Sequence, residues 1–342
     1  MPWREQDTTQ RKKDNGAAAF LKGKWQKFTK SSLLPRRADG ILKTAFGLYG
    51  NTRAGRFGMK DLQDCYILKN GVKMPCVGYG TYKTHEEETY RAVRAAIDIG
   101  YRHIDTASLY GNEAAVGRAV RDCGLPREEL FVTSKLWNDD QGYESTLAAF
   151  ARTLEQLGMD YVDLYLIHWP IPEGREGDWQ TLNQESWRAM EELYRAGKIR
   201  ALGVSNFLPR HLQSLMDTAQ VPVMVDQLEI HPMRHQREAV NFCQRNGIQV
   251  EAWAPLVRGR AFDDPVLRSL AEKYQKTVPQ ICLRWSMQQG IVPLPKSSHE
   301  GRIRENADIF DFALAPEDMA KLLTLDGELG VGRHPDHFGE KK

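Results

Sequence analysis

No Cys-x-x-Cys pair occurs in this chain of 342 residues, and its five cysteines, Cys65, Cys76, Cys123, Cys243 and Cys282, are scattered and odd in number. That pattern argues against a disulfide framework or a zinc ribbon and suits a reducing, cytoplasmic setting. No apolar run approaches the roughly 20 residues that span a bilayer, so no membrane span is expected. The N-terminal region also lacks the uninterrupted apolar core of a secretory signal. Acidic residues are scarce there: residues 1–58 hold 13 Lys/Arg against 4 Asp/Glu, and the remainder 34 against 41. The formal net charge of +2 thus conceals a basic arm on an acidic body. Such an arm can meet nucleic acid or an anionic surface, but the simpler expectation is a solvated, disordered extension with no nucleic-acid requirement. Met59, followed at once by a strand-like run, reads as an alternative start.

Beyond the arm, hydrophobic content of 41% and charged content of 27% suit a soluble protein with a sizeable core. Asn70-Gly71 between two apolar runs, Tyr66–Leu68 and Val72–Met74, is a strong hairpin signal. Strands and helices then alternate. Strands are expected at Cys76–Thr81, Arg102–Thr106, Leu130–Leu136, Tyr161–Trp169, Ile199–Val204, Val223–Ile230, Gln249–Ala254 and Ile291–Pro295. Each is followed by a helical stretch, for example Glu86–Ile99, Tyr143–Leu157 and Trp187–Ala196. Eight such units in about 250 residues predict an α/β fold, a (β/α)8 TIM barrel over 59–342 with the hairpin at its bottom. An open doubly wound sheet is the alternative. It would usually carry a Gly-x-Gly-x-x-Gly turn, which Gly78-Tyr79-Gly80-Thr81-Tyr82 does not complete.

In a barrel the carboxyl ends of all strands face one pocket, so their polar residues can be read together. The second strand delivers Asp105 and Tyr110, the third Lys135, and the fourth His168. Taken singly, each has a bland reading: a turn cap, a packing residue, a solvated lysine, a core histidine. Taken together they are what carbonyl reduction requires. A carbonyl accepting hydride needs a proton donor and stabilisation of charge on its oxygen. A phenol with a pKa of about 10 is a reluctant donor at neutral pH. A neighbouring ammonium is expected to lower that value, and a carboxylate to hold the ammonium in place. A histidine adds a hydrogen bond that orients the carbonyl.

The motifs Asp105-Thr106-Ala107-x-x-Tyr110-Gly111-Asn112-Glu113, Ser134-Lys135-Leu136-Trp137 and Leu166-Ile167-His168-Trp169-Pro170 are similar in order and spacing to the signatures of the aldo-keto reductases. The resemblance covers residues 62–326. It implies Tyr110 as general acid, tuned by Lys135 and Asp105, with His168 aligning the substrate. Gly203-Val204-Ser205-Asn206-Phe207 resembles the family stretch that holds the nicotinamide carboxamide, with Gln227 as third partner and Trp253 stacking on the ring. Lys296, Ser297, Arg302 and Asn306 match the adenosine end, and Lys296 with Arg302 implies NADPH as cofactor, a guanidinium being suited to a phosphate. The blander readings are Trp253 as a core residue and Lys296 and Arg302 as a solvated loop.

The chain departs from the family pattern at Tyr82, where relatives more often have Trp, at Asp226 for Asn, and at Val257 for Gly. Tyr82, Trp137 and Trp169 would line the substrate pocket. The short tail after Leu325 resembles that of bacterial-type reductases of sugar-like ketones and aldehydes, including diketogluconate reductases, and implies an open pocket. The expected protein is a monomer acting on a small carbonyl substrate. One rival is a metal-dependent barrel hydrolase, because His103-Ile104-Asp105 resembles a ligand pair, although no converging ligand set is evident and no metal is expected. The other is a non-catalytic cofactor-binding or regulatory subunit on the same barrel.

Overall fold

The computed structural model describes residues 58–338 except residue 328, so the expectations for the basic arm fall outside the described residues. The hairpin forms as expected. Strand β1 (Cys65–Ile67) pairs antiparallel with β2 (Lys73–Pro75), and the Leu68 N–H donates to Val72 O across the turn at 2.9 Å. Gly71 takes φ +86°, a conformation that costs a residue without a Cβ little. Asn70 Nδ2 donates to Arg200 O at 2.8 Å and Lys69 Nζ to Val223 O at 3.3 Å. Both acceptors lie near the starts of strands, so the hairpin sits at the barrel bottom.

Eight parallel strands follow in sequential order: β3 (Tyr79–Gly80), β4 (His103–Asp105), β5 (Phe131–Leu136), β6 (Val162–Ile167), β7 (Ile199–Ser205), β8 (Val225–Glu229), β9 (Gln249–Trp253) and β10 (Val292–Leu294). The ring closes where the Gly78 and Gly80 N–H groups donate to Pro293 O and Pro295 O, each at 3.0 Å. Gly78 permits that closure, because a Cβ there would meet Leu294 Cδ2 at 2.4 Å and His103 Nδ1 at 2.8 Å. The fold is the expected (β/α)8 barrel.

Helices α1 (Glu86–Ile99), α2 (Glu113–Arg121), α3 (Tyr143–Leu157), α4 (Trp179–Arg195), α5 (Pro209–Met216), α6 (Arg237–Arg245), α7 (Pro265–Tyr274), α8 (Val278–Gln288), α9 (Glu300–Ala307) and α10 (Pro316–Leu322) complete the described elements. Most boundaries shift by a residue or two, and two differ more. The first barrel strand is only Tyr79–Gly80, and α4 begins at Trp179 rather than Trp187. The extra turns of α4 bury Trp179, Leu182, Asn183 and Ser186 at helical spacing. None of the described helices is long and apolar enough to cross a membrane.

Every residue of β6 is buried, as expected for a strand covered on both faces. Its one acid, Asp163, is satisfied by Arg127 at 2.7 Å, Arg200 at 2.6 Å and the Val132 N–H at 2.9 Å. The strand period of two then sorts the polar residues. Lys135 and Gln227 reach the interior, whereas Ser134 bonds Glu113 of α2 and Asp226 faces Cys243 of α6.

Candidate active site

The carboxyl ends of β4, β5 and β6 bring Asp105, Tyr110, Lys135 and His168 into one cluster. Lys135 Nζ donates to both carboxylate oxygens of Asp105, at 2.7 and 2.8 Å, and to Thr106 O at 2.9 Å. It also lies 5.2 Å from the centroid of the Tyr110 ring. The ring of Tyr110 stands edge-on to His168, with centroids 5.9 Å apart. Its position is set by a single 3-10 turn, Ser108–Tyr110, closed by Gly111 at φ +65°.

Burial works against the charge on Lys135, but Asp105 and Tyr110 outweigh it and hold its pKa above the ordinary value. For Tyr110 the balance falls the other way. Burial pushes the phenol up to about 12, and the ammonium and hydrogen bond of Lys135 only partly offset this. The expected lowering is therefore not met in the protein without cofactor. The sequence shows the cation but not the desolvation that opposes it. His168 is held well below its ordinary value, first by burial and then by Lys135, so it is a neutral imidazole.

Around this cluster lies an aromatic cup. Tyr82 sits 5.0 Å from Tyr110, and Trp137 stands edge-on to His168 at 5.1 Å. Trp169 joins through Phe338, whose ring is 5.0 Å from Trp169 and 5.8 Å from Trp137. The tail returns to this rim and adds Phe338 to the cup. Glu229 accepts from the Val331 and Gly332 N–H groups, and Arg210 Nη2 reaches Asp336 at 2.6 Å. His211 Nε2 approaches the same Asp336 oxygen at 2.9 Å. Nothing in the tail's composition announces Phe338, because its partners are some 170 to 200 residues earlier in the chain.

The residues expected to bind the nicotinamide adjoin the cup. Asn206, at φ +65°, accepts from Trp253 Nε1 at 2.8 Å and donates to His168 O and Ser205 Oγ, each at 3.0 Å. Ser205 Oγ donates to Gln227 O at 2.8 Å. Gln227 Nε2 donates to Asp105 Oδ2 and to Glu251 Oε2, each at 2.9 Å. Its Oε1 bonds no described residue and is left as an acceptor, which fits a carboxamide. The residues of the expected adenosine end follow β10. Ser297 is buried beside the Tyr79 hydroxyl, Asn306 is buried on α9, Lys296 is half-buried and Arg302 is exposed. Arg302 makes no ion pair among the described residues, which fits a phosphate.

Beneath the cluster lie Glu251, which the sequence reading missed, and His103, which it took only as half of a metal-ligand pair. Glu251 is fully buried two residues before Trp253 on β9, so the strand period could have placed it inside the barrel. His103 bonds Thr133 Oγ1 at 3.0 Å and lies 3.6 Å from Glu251. Its place is in this interior layer.

A closed parallel barrel that gathers an acid, a phenol, an ammonium and an imidazole at its carboxyl rim holds the groups that carbonyl reduction needs. The model of the Aldo/keto reductase family matches residues 76–326, and the chain belongs to that family of oxidoreductases. It is 51% identical over 278 residues to the glyoxal reductase of Bacillus subtilis (strain 168), covering 81% of this chain and 98% of that protein. It is 41% identical over 274 residues to the methylglyoxal reductase DkgA of Escherichia coli (strain K12), covering 80% of this chain and 97% of that one. Among solved structures, a Gox0644 mutant in complex with NADPH superposes with a TM-score of 0.75 at 38% identity, covering 82% of this chain and 99% of the other.

Proposed function

We propose that the chain reduces small aldehydes and ketones, 1,2-dicarbonyls such as glyoxal and methylglyoxal among them, to alcohols with NADPH, using Tyr110 as proton donor. The observation that carries this reading is the buried Lys135 ammonium, held on both oxygens of Asp105 and set against the Tyr110 ring inside an aromatic cup. NADPH, when bound, supplies the hydride to the carbonyl carbon. Ser205, Asn206 and Gln227 would hold its carboxamide, Trp253 its ring, and Lys296, Ser297, Arg302 and Asn306 its adenosine end. The Tyr110 hydroxyl gives its proton to the carbonyl oxygen, and Lys135 stabilises the phenolate left behind. Neutral His168 orients that oxygen without competing for its proton. Tyr82, Trp137, Trp169 and Phe338 exclude water.

The names of the relatives support the dicarbonyl substrates, and the NADPH complex of Gox0644 supports the cofactor. Five unpaired cysteines support a cytoplasmic setting, and we place the working form as a monomer. The test is Tyr110→Phe with methylglyoxal and NADPH, following nicotinamide absorbance. Turnover is expected to fall at least a thousand-fold while NADPH still quenches tryptophan fluorescence. A variant that turns over normally would remove Tyr110 from the chemistry. A parent enzyme inactive on every small carbonyl would favour the non-catalytic reading.

A further inference from the structure

Beneath the proposed site lies a second buried acid that the chemistry above does not use. Gln227 Nε2 has two protons and gives one to Asp105 Oδ2 and one to Glu251 Oε2, each at 2.9 Å. Both acids are buried, and the other oxygen of Glu251 has no hydrogen-bond partner. We infer that Glu251 is a positioning residue: it holds the Gln227 amide with nitrogen toward the two acids and oxygen toward the cofactor site, and its charge acts on Lys135 and, through Lys135, on Tyr110.

The charge count supports both halves. Around Glu251 stand Asp105 and His103 from β4 and Lys135 from β5, with Asp226 behind β8. With Glu251 neutral, Lys135 balances Asp105 and the layer carries no net charge. With Glu251 ionised, two carboxylates share one amide nitrogen and one ammonium, which is costly away from water. Burial and then Asp105 accordingly push Glu251 up to about 8, while burial and then Lys135 pull His103 down to about 3. Glu251 is therefore neutral at pH 7 and ionises in mildly alkaline solution. The added negative charge falls on Lys135, whose ammonium lies 5.2 Å from the centroid of the Tyr110 ring, and offsets the support that ammonium gives the phenolate.

The inference rests on Tyr110 as the proton-transfer group, so its test includes cofactor binding, which does not depend on that role. Glu251→Leu removes the acceptor, and Glu251→Gln keeps an acceptor without a titrating group. NADPH affinity, read by tryptophan fluorescence at pH 7, is expected to weaken about ten-fold in Glu251→Leu and stay within about two-fold in Glu251→Gln. Alcohol oxidation with NADP+, which needs the phenolate, is the second readout. Glu251→Gln should match the parent at pH 7 and exceed it about ten-fold at pH 9.5, the size of a one-unit shift from a nearby like charge. A folded Glu251→Leu that binds NADPH as the parent does overturns the positioning role. If that variant does not fold, Glu251→Gln decides alone, and superimposed pH profiles from 7 to 10 overturn the inference. An inactive parent is the separate failure of the proposed function, and NADPH binding still reports on Glu251.

Discussion

Asp105 meets Lys135 with both its oxygens, at 2.7 and 2.8 Å, and the side chains are 5% and 0% exposed. The geometry is two-pronged, and the further partners of the ammonium are Thr106 O and the Tyr110 hydroxyl. Removing the acid strands a cation in a dry interior, which costs about 3–5 kcal/mol when nothing relaxes. Asp105→Asn is therefore expected to lower the melting temperature and to cut kcat for methylglyoxal reduction by about 10²–10³-fold. NADPH binding should persist, since the amide can still meet Gln227. Thermal melts and steady-state kinetics check both, and an unchanged kcat would show that the pair is structural alone.

Asp226 stands where relatives more often carry Asn, fully buried, with a backbone hydrogen bond from Phe207 and a long contact from Cys243 Sγ at 3.7 Å. Burial raises its pKa well above the ordinary value. An acid whose pKa is higher folded than unfolded is neutral and undemanding below about pH 4, and its contribution to stability is lost as pH rises. Asp226→Asn should thus raise stability at pH 7 by roughly 1–2 kcal/mol and have little effect near pH 3. Denaturant melts at the two pH values measure the difference. Equal effects at both would contradict the sign.

The proposed preference for NADPH falls on Arg302, which is exposed and unpaired by any described carboxylate at the start of α9. Charge-assisted hydrogen bonds to a phosphate contribute about 1.5–3 kcal/mol. Arg302→Ala is expected to weaken NADPH by roughly 10–100-fold and to leave NADH unchanged. Fluorescence titration with the two cofactors separates the cases, and an equal loss for both would place Arg302 elsewhere in the site.

How much of this was legible in the sequence depended on range. Barrel, hairpin and cluster follow from local patterns: a period of two along strands, Asn-Gly at the turn, and polar residues at strand ends. The start of α4 was obscured because Glu173–Asp178 reads as a charged loop, while buried Trp179 and Leu182 already belong to the helix. Glu251 is readable from its spacing to Trp253, but it lies one layer below the strand ends that carry the motifs. The direction of the Tyr110 shift was misjudged for another reason. A motif displays the cation beside a phenol and says nothing of how much water has been removed from around it. Phe338 was beyond reach, since its partners are neighbours only after the tail folds back.

That folded-back tail has a practical consequence. The wall beside the proposed site is finished by the segment that ends at Phe338, pinned by backbone amides on Glu229 and by Asp336 on Arg210. An insertion made directly after Phe338 starts beside the ring touching both tryptophans. Whatever is inserted there stands beside the aromatic rim of the proposed site.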